Sequence, residues 1–530
     1  MKKYFKILMC IAVIALSFTA CQSKSDDKPN DSTTKKTEEK KEGANNYKDT
    51  LNIAVTAQPP TLDPVMTASN LTLAISNNFY ETLFTFDENY NQTPMLAESY
   101  TKNDNNTEFT FKLRKGIKFH NDKEMKADDV ASSMNYWLTK SERAKNLIGE
   151  GKFEKVDDYT VKATFKQPAN DLMNLMCSQP TFPAIRPKES IESAGEKGVT
   201  ELIGTGPYKV KEVKQDQYIM LEKFDGYQSL DSESSGFAGK KEAPTKNLKY
   251  HIVPDQATRL NGLNTGTYDI IDDISNDNYE QLKANNQLKL YTQPGGTLNL
   301  FMNTTKGVFA NKDMRLAIMN ALDCDEIMLA SFINKDLYFL DNGFMNPKTQ
   351  WKTDAGKENY NTKNIEKAKE LIKKAGYNGE KIRLVTTKDY VEMYNATVVV
   401  QDQLKKIGLN AEVVNFDFPT FMDNRSNTDK FDIFITSNSY QVTPQQSLIV
   451  NPDWAGHKDP KLKELVSSIQ QAKDEKEAVA NWEKTQKFIY TDYVSTLNIG
   501  HYNSVAATNK NVEDFVFFYN PIVWNAKVAK

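Results

Sequence analysis

Residues 365–414 constrain the fold most, because helical and extended patterns alternate there with only short turns between them. Ile365, Ala368, Leu371, Ile372 and Ala375 fall on one helical face, and Gly376 follows as a residue able to close that helix in the left-handed conformation. Ile382-Arg383-Leu384-Val385 then reads as a strand. A second helix passes through Val398-Val399-Val400 and Leu404 to Gly408, and Ala411-Glu412-Val413-Val414 is the next strand. Helix, strand, helix, strand with short connections calls for α/β crossover units and a partly parallel sheet. Upstream, Leu51-Asn52-Ile53-Ala54-Val55 reads as a buried strand. Phe109, Phe111 and Leu113, and then Tyr159, Val161, Ala163 and Phe165, alternate with polar residues as half-buried strands do. Ala127-Asp128-Asp129-Val130 opens a helix toward Trp137, with two carboxylates in the first turn where the helix dipole favours them. The expected fold class is therefore α/β. A chain of 530 residues has room for roughly three or four domains, and no internal repeat is visible.

The N-terminal segment is an address. Met1-Lys2-Lys3 carries positive charge, and the apolar run from Ile7 to Leu16 is short for a membrane span, which is the layout of a secretory signal peptide over residues 1–20. The run ends in Phe18-Thr19-Ala20-Cys21, which resembles a bacterial lipobox with Phe18 in place of the usual Leu. That resemblance makes Cys21 the lipidated first residue of the mature chain; an ordinary signal peptide with Cys21 as a bystander is the alternative. Residues 22–47 are almost wholly charged or polar and cannot bury enough surface to offset chain entropy, so a disordered tether over residues 21–47 is expected.

Charge and motif content narrow the function. Lys plus Arg number 67 against 70 for Asp plus Glu, and this near-balance argues against nucleic acid as a partner. Cys177 and Cys324 have no Cys-x-x-Cys spacing and read as free, buried thiols. There is no phosphate-binding glycine loop, zinc-binding His-Glu-x-x-His helix or Gly-x-Ser-x-Gly elbow. His120, His251, His457 and His501 are widely separated and give no metal spacing. No catalytic residue, cofactor or metal is expected, and the chain does not read as an enzyme.

Four groups of residues, taken in order, carry a resemblance. They are Thr61-Leu62-Asp63-Pro64 with Phe79-Tyr80-Glu81-Thr82-Leu83-Phe84; Leu96-Ala97-Glu98-Ser99-Tyr100 with Phe111-Lys112-Leu113-Arg114-Lys115-Gly116 and Phe119-His120; Gly204-Thr205-Gly206-Pro207-Tyr208; and Phe301-Met302-Asn303-Thr304 with Asp313-Met314-Arg315 and Ala321-Leu322-Asp323. Together the chain resembles the extracellular solute-binding proteins of family 5, the oligopeptide and dipeptide receptors of ABC importers. Mechanically, most of these residues read as fold markers. Gly206 before Pro207 suits a tight turn in which glycine tolerates a positive φ, and Arg114 and Lys115 read as a solvated hairpin end.

The resemblance implies two lobes around a groove that closes like a hinge. One lobe would comprise residues 48–84, 171–298 and 499–530, with a small inserted domain over 85–170; the other would comprise 299–498. It implies a monomer on the extracytoplasmic face of the cell membrane, held by Cys21 and partnered by an oligopeptide and a permease. Another solute, such as a nickel chelate, a modified peptide or an oligosaccharide, or a signalling role on the same scaffold, is the alternative. Ligand residues implied are Ala68, Ser69, Asn70, Asp272, Asp273, Phe418, Ser437, Asn438, Ser439 and Tyr440. Receptors of this family commonly carry an aspartate, just after the strand corresponding to residues 432–435, that pairs with the peptide ammonium. Residues 436–444 contain no acidic residue, so either Asp272 or Asp273 substitutes across the groove or the ligand lacks a free amino terminus. On a strand neighbouring residues face opposite sides, so only one of these two aspartates is expected to face the ligand.

Cys21→Ala is expected to release the protein into the medium or leave it unprocessed. Membrane fractionation checks this, and unchanged association with the membrane would refute lipidation.

Overall fold

The computed structural model describes residues 46–196, 198–451 and 455–530; the signal core, Cys21 and the charged segment up to Asn45 lie outside them. The described chain includes the last two residues of the expected tether. Tyr47 bridges Ala529 and donates its hydroxyl to Glu513 at 3.0 Å, while the Lys527 ammonium lies 5.0 Å from the centre of its ring. An aromatic side chain gave this end of the polar segment something to pack against.

From the N-terminus come β1 (Thr50–Val55) and α1 (Asn70–Ser76). An antiparallel sheet of β2 (Ala97–Lys102), β3 (Glu108–Leu113), β4 (Gly151–Asp157) and β5 (Thr160–Phe165) follows in the order β2-β3-β5-β4, with α2 (Ala127–Lys140) against it. Next are β6 (Tyr208–Lys214), β7 (Tyr218–Lys223), β8 (Asn247–Ile252), β9 (Ile270–Ile271) and the long β10 (Leu288–Met302). Then come α3 (Cys324–Phe332), β11 (Tyr338–Phe339), α4 (Ile365–Ala375), β12 (Ile382–Thr387) and α5 (Val391–Lys406). β13 (Ala411–Phe416), α6 (Phe418–Asn424), β14 (Ile433–Ser439), α7 (Pro460–Gln470) and β15 (Thr496–Asn509) complete the frame.

Eleven strands form one sheet in the order β13-β12-β14-β10-β15-β9-β1-β8-β7-β6, with β11 also on β15. The alternation read from the sequence is its second half: β12 runs parallel to both β13 and β14. Gly376 closes α4 at φ 73° and Gly408 follows α5 at φ 87°. Two large apolar cores divide the molecule into lobes. The first gathers residues from Leu51 to Ile270 and again from Ala506 to Val528; the second gathers residues from Tyr279 to Val505. Cys177 is buried in the first and Cys324 in the second, both as free thiols. β10 and β15 pair antiparallel from Leu288↔Asn509 to Phe301↔Thr496 and so carry the sheet from one lobe to the other, with register shifts at Pro294/Gly296 and Leu298/Asn299.

The recognisable motifs knit this frame. Asp63 is fully buried and accepts from Arg186, from the Tyr136 hydroxyl at 3.0 Å and from the Val199 amide at 3.0 Å. Removing one partner of a buried pair costs about 3–5 kcal/mol, because the other charge is left without compensation. Glu81 binds buried Lys241 at 3.0 Å and accepts from Thr205 and Tyr227. Arg114 donates to the carbonyls of Met95, Gln228 and Ser229, which ties the hairpin end to the lobe. Gly206 does not adopt the positive φ expected of it. A Cβ there would lie 2.6 Å from the Asn78 carbonyl oxygen and 2.7 Å from the Phe79 Cα, so close backbone approach, not turn conformation, requires glycine.

His120 joins the inserted sheet to the same segment. Its Nδ1 accepts from the Gly204 amide at 3.2 Å, so Nε2 carries the proton and donates to the Gly206 carbonyl at 3.0 Å. Burial pushes its pKa down to about 4. The unfolded chain therefore takes up this proton first as pH falls. The stability tied to neutral His120 is complete above about pH 6.5 and is lost between there and about pH 4, up to roughly 3 kcal/mol. His120→Gln is expected to lose less thermal stability than the parent between pH 7.5 and pH 4.5. Thermal unfolding at both pH values checks this, and equal losses would refute it.

Candidate functional site

Between the lobes lies a groove of two adjoining cavities, of about 680 and 620 Å³, that share Asn70, Asp273, Phe332, Tyr390, Glu392 and Tyr502 among their walls. Its second-lobe wall is made at the carboxyl ends of the parallel strands, where open α/β sheets place ligands. Tyr390 and Glu392 follow β12, Phe418 follows β13, and Ser437, Asn438 and Ser439 end β14. β12 pairs with β14 only at Ile433 and Phe434. From Ile435 to Ser439 one edge of β14 has no strand partner among the described residues, while the other edge is paired with β10. Thr436 through Ser439 line the larger cavity.

The groove brings together most of the residues implied by the sequence. Ala68 and Asn70 line the larger cavity beside Phe418, Ser437, Asn438, Ser439 and Tyr440. Ser69 lies in neither wall; it caps α1, its hydroxyl accepting from the Thr72 amide at 3.5 Å. Tyr440 is tied to the crossing strand, its hydroxyl hydrogen-bonded to Nδ1 of His501 on β15. Asp269 is structural: fully buried, it accepts from Lys48 and from the Asn52 amide, both at 2.8 Å. The alternation argument for Asp272 and Asp273 does not hold, because β9 ends at Ile271. Asp273 turns into the left-handed region at φ 51°, and both aspartates line the smaller cavity, with Asp273 lining the larger one too. Asp272 is raised to about 6 by burial and then by the charge of Asp273.

Glu392, Arg143 and Arg425 were not read from the sequence. Glu392 sits in the first turn of α5 and accepts from the Ser437 hydroxyl at 3.0 Å, on the very strand that lacks a carboxylate of its own. The signal available for it was an acidic residue just beyond the carboxyl end of a parallel strand. Among the described residues neither Glu392 nor Asp273 has a lysine or arginine ion-pair partner. The Tyr390 phenol is raised by loss of solvent and then by the charges of Glu392, Asp273 and Asp389, so carboxylates from both lobes surround one ring. The smaller cavity is lined by Asp272, Asp273, Asp277, Asp389 and Glu392 and, among the described residues, by no lysine or arginine. The larger cavity carries Arg143 from the first lobe and Arg425 from the second. Burial lowers Arg425 to about 10. The groove is thus polarised, carboxylate-rich at one end and with guanidinium groups at the other.

Known proteins share this architecture. A probable peptide ABC transporter periplasmic-binding protein of Sinorhizobium fredii is 27% identical over 497 residues, covering 88% of this chain and 91% of the relative. The glutathione-binding protein GsiB of Escherichia coli is 28% identical over 379 residues, covering 69% of each chain. Among solved structures, the ABC transporter substrate-binding protein CtaP of Listeria monocytogenes superposes with a TM-score of 0.78 at 24% identity, over 88% of this chain and 95% of that one. The oligopeptide-binding protein AppA of Bacillus subtilis, in complex with a nonapeptide, gives 0.70 at 23% identity, over 91% and 99%. The profile of the bacterial extracellular solute-binding proteins, family 5, matches residues 91–453. With that match over more than half its length and the two-lobed frame around a groove, the chain belongs to the bacterial extracellular solute-binding proteins of family 5.

Proposed function

We propose that this solute-binding protein captures oligopeptides and hands them to the permease of an ABC importer. The observation that carries the reading is the open edge of β14, whose residues Thr436 to Ser439 line the groove. An extended peptide can lie along such an edge as an added strand, using main-chain hydrogen bonds that do not depend on its sequence. The relatives named for peptide and glutathione binding support the same class of ligand. The polarity of the groove fits a zwitterion: Asp273 and Glu392 receive the ammonium from opposite lobes, and Arg425 and Arg143 face the carboxylate end. Two like charges on opposite lobes resist closure until a cation enters between them, so this ammonium also serves the hinge. Lipidation of Cys21 and a charged tether would hold the monomeric receptor at the outer face of the membrane. One lobe would comprise residues 48–84, 171–298 and 499–530, with 85–170 as the inserted domain, and the other residues 299–498. The two cores, which part between Ile270 and Tyr279 and between Val505 and Ala506, support this division in outline.

Isothermal titration with a pool of tetrapeptides, free and N-acetylated, tests the reading. The free pool is expected to bind more tightly than the acetylated pool, roughly 30-fold or more, the usual loss when one partner of a desolvated charge pair is removed. Glu392→Gln and Asp273→Asn are each expected to shrink that difference. Equal binding of both pools would remove the ammonium pairing, and no binding of either would refute a peptide ligand.

A further inference from the structure

Away from the groove, the lobes meet at a second place. Asn106, in the turn between β2 and β3, is 6% exposed and held at φ 54°. Its Nδ2 donates to Oδ1 of Asn170 at 2.7 Å, and the Ala169 amide donates to its carbonyl at 2.9 Å. With its oxygen occupied, the Asn170 amide is oriented so that Nδ2 donates to the carbonyls of Gln470 and Ala472, at 2.6 and 2.8 Å. Asn106 and Asn170 stand with the first core, through their neighbours Phe109, Ala169 and Leu172. Gln470 ends α7, which stands with the second core through Leu462 and Ile469. The carbonyl of Gln470 is one of the last four in its helix, which have no donor within the helix. One side chain of the first lobe therefore caps a helix end of the second. Asn170 lines neither cavity of the groove; it borders a separate space of about 130 Å³ with Asp171, Trp351 and Glu475.

We infer that Asn170, oriented by Asn106, is a closure latch: a positioning residue that holds the lobes together and sets how readily the groove opens, without touching the solute. The geometry favours a latch over static packing for two reasons. Both bonds cross from one lobe to the other, and both acceptors are backbone carbonyls that water can satisfy when the lobes part, so opening leaves no buried group unpaired. Each bond then contributes only the modest net gain of an exchange with water, and the pair shifts the closed-to-open ratio by roughly tenfold. That is large enough to matter and small enough to be undone at each cycle of capture and release. The inference rests on the two-lobed frame and is independent of the identity of the solute.

Small-angle scattering of the ligand-free protein tests it. Asn170→Ala and Asn170→Asp are expected to raise the radius of gyration over the parent by about 1 Å, the scale of a partial hinge opening. The aspartate should act more strongly because it sets a carboxylate against two carbonyl oxygens. Asn106→Ala, which leaves Asn170 in place but frees its amide to rotate, should give a smaller increase in the same direction. Thermal unfolding of the variants controls for folding; if a substitution at Asn170 fails to fold, Asn106→Ala decides alone. An identical radius of gyration for the parent and every folded variant would overturn the latch. Since no ligand is present, that outcome would leave the peptide reading intact, and a failed titration would leave the latch intact.

Discussion

The pairing of β10 with β15 is the constraint on which the rest of this molecule depends. These two strands belong to both lobes, and the long sheet passes through them without a break. Their register slips beside Pro294 and Gly296, where the pair runs past the groove. Glycine at position 296 is a steric necessity: a Cβ would fall 2.0 Å from the Asn438 carbonyl oxygen and 2.6 Å from the Tyr502 hydroxyl. The backbone of β10 thus lies too close to β14, and to the Tyr502 ring of β15, to admit any side chain at this position. Proline cannot donate to a ladder and bulges bend strands, so the pair is loosened where it crosses from one lobe to the other. If the lobes close as proposed, two strands continuous through both favour a twist about that pair over the sliding of one surface past another.

The groove inherits its chemistry from the same arrangement. Parallel strands β12, β13 and β14 all end on one side of the second lobe, and the loops and first helical turns beyond them supply Tyr390, Glu392, Phe418 and Tyr440. Because β12 leaves β14 after Phe434, the strand end lies bare toward the first lobe. On the proposed reading, backbone and charge divide the work of recognition: the strand edge would offer main-chain groups that any peptide can use, and the carboxylates and guanidinium groups would distinguish one end of a ligand from the other.

Much of this was legible in the sequence and some was not, for identifiable reasons. The alternation across residues 365–414 identified each element of the parallel unit, and α4 to the residue, because amphipathic period and glycine caps are local properties; the start of α5 at Val391 and the last two residues of β12 and β13 lay outside the pattern read. The motif residues announced themselves as fold markers, and Asp63, Glu81 and Arg114 are indeed committed to holding segments together. Glu392 escaped because its meaning arises from Ser437, 45 positions away, and no local pattern records that meeting. Asp272 and Asp273 were read with strand alternation, which failed because β9 is only two residues long and the chain turns immediately after it. Ser69 was drawn in by its neighbours; its own side chain is spent on the start of α1.

The two crossing strands also dictate when the molecule can fold. β10 ends at Met302 and β15 begins only at Thr496, so the central strand of the sheet is missing until nearly the whole chain is available. Pairings between residues this far apart close late, since the loop entropy must be met before the contacts can repay it. The last residues then return to the first lobe: Val512, Phe515 and Trp524 enter the same core as Leu51 and Ile53. A chain that leaves a ribosome or a membrane pore from its N-terminus must therefore keep one edge of β9 and one edge of β10 exposed until β15 emerges. For that interval it is a natural client for chaperones that shield unpaired strands, and a truncation before β15 would remove the common beam of both lobes rather than trim a tail.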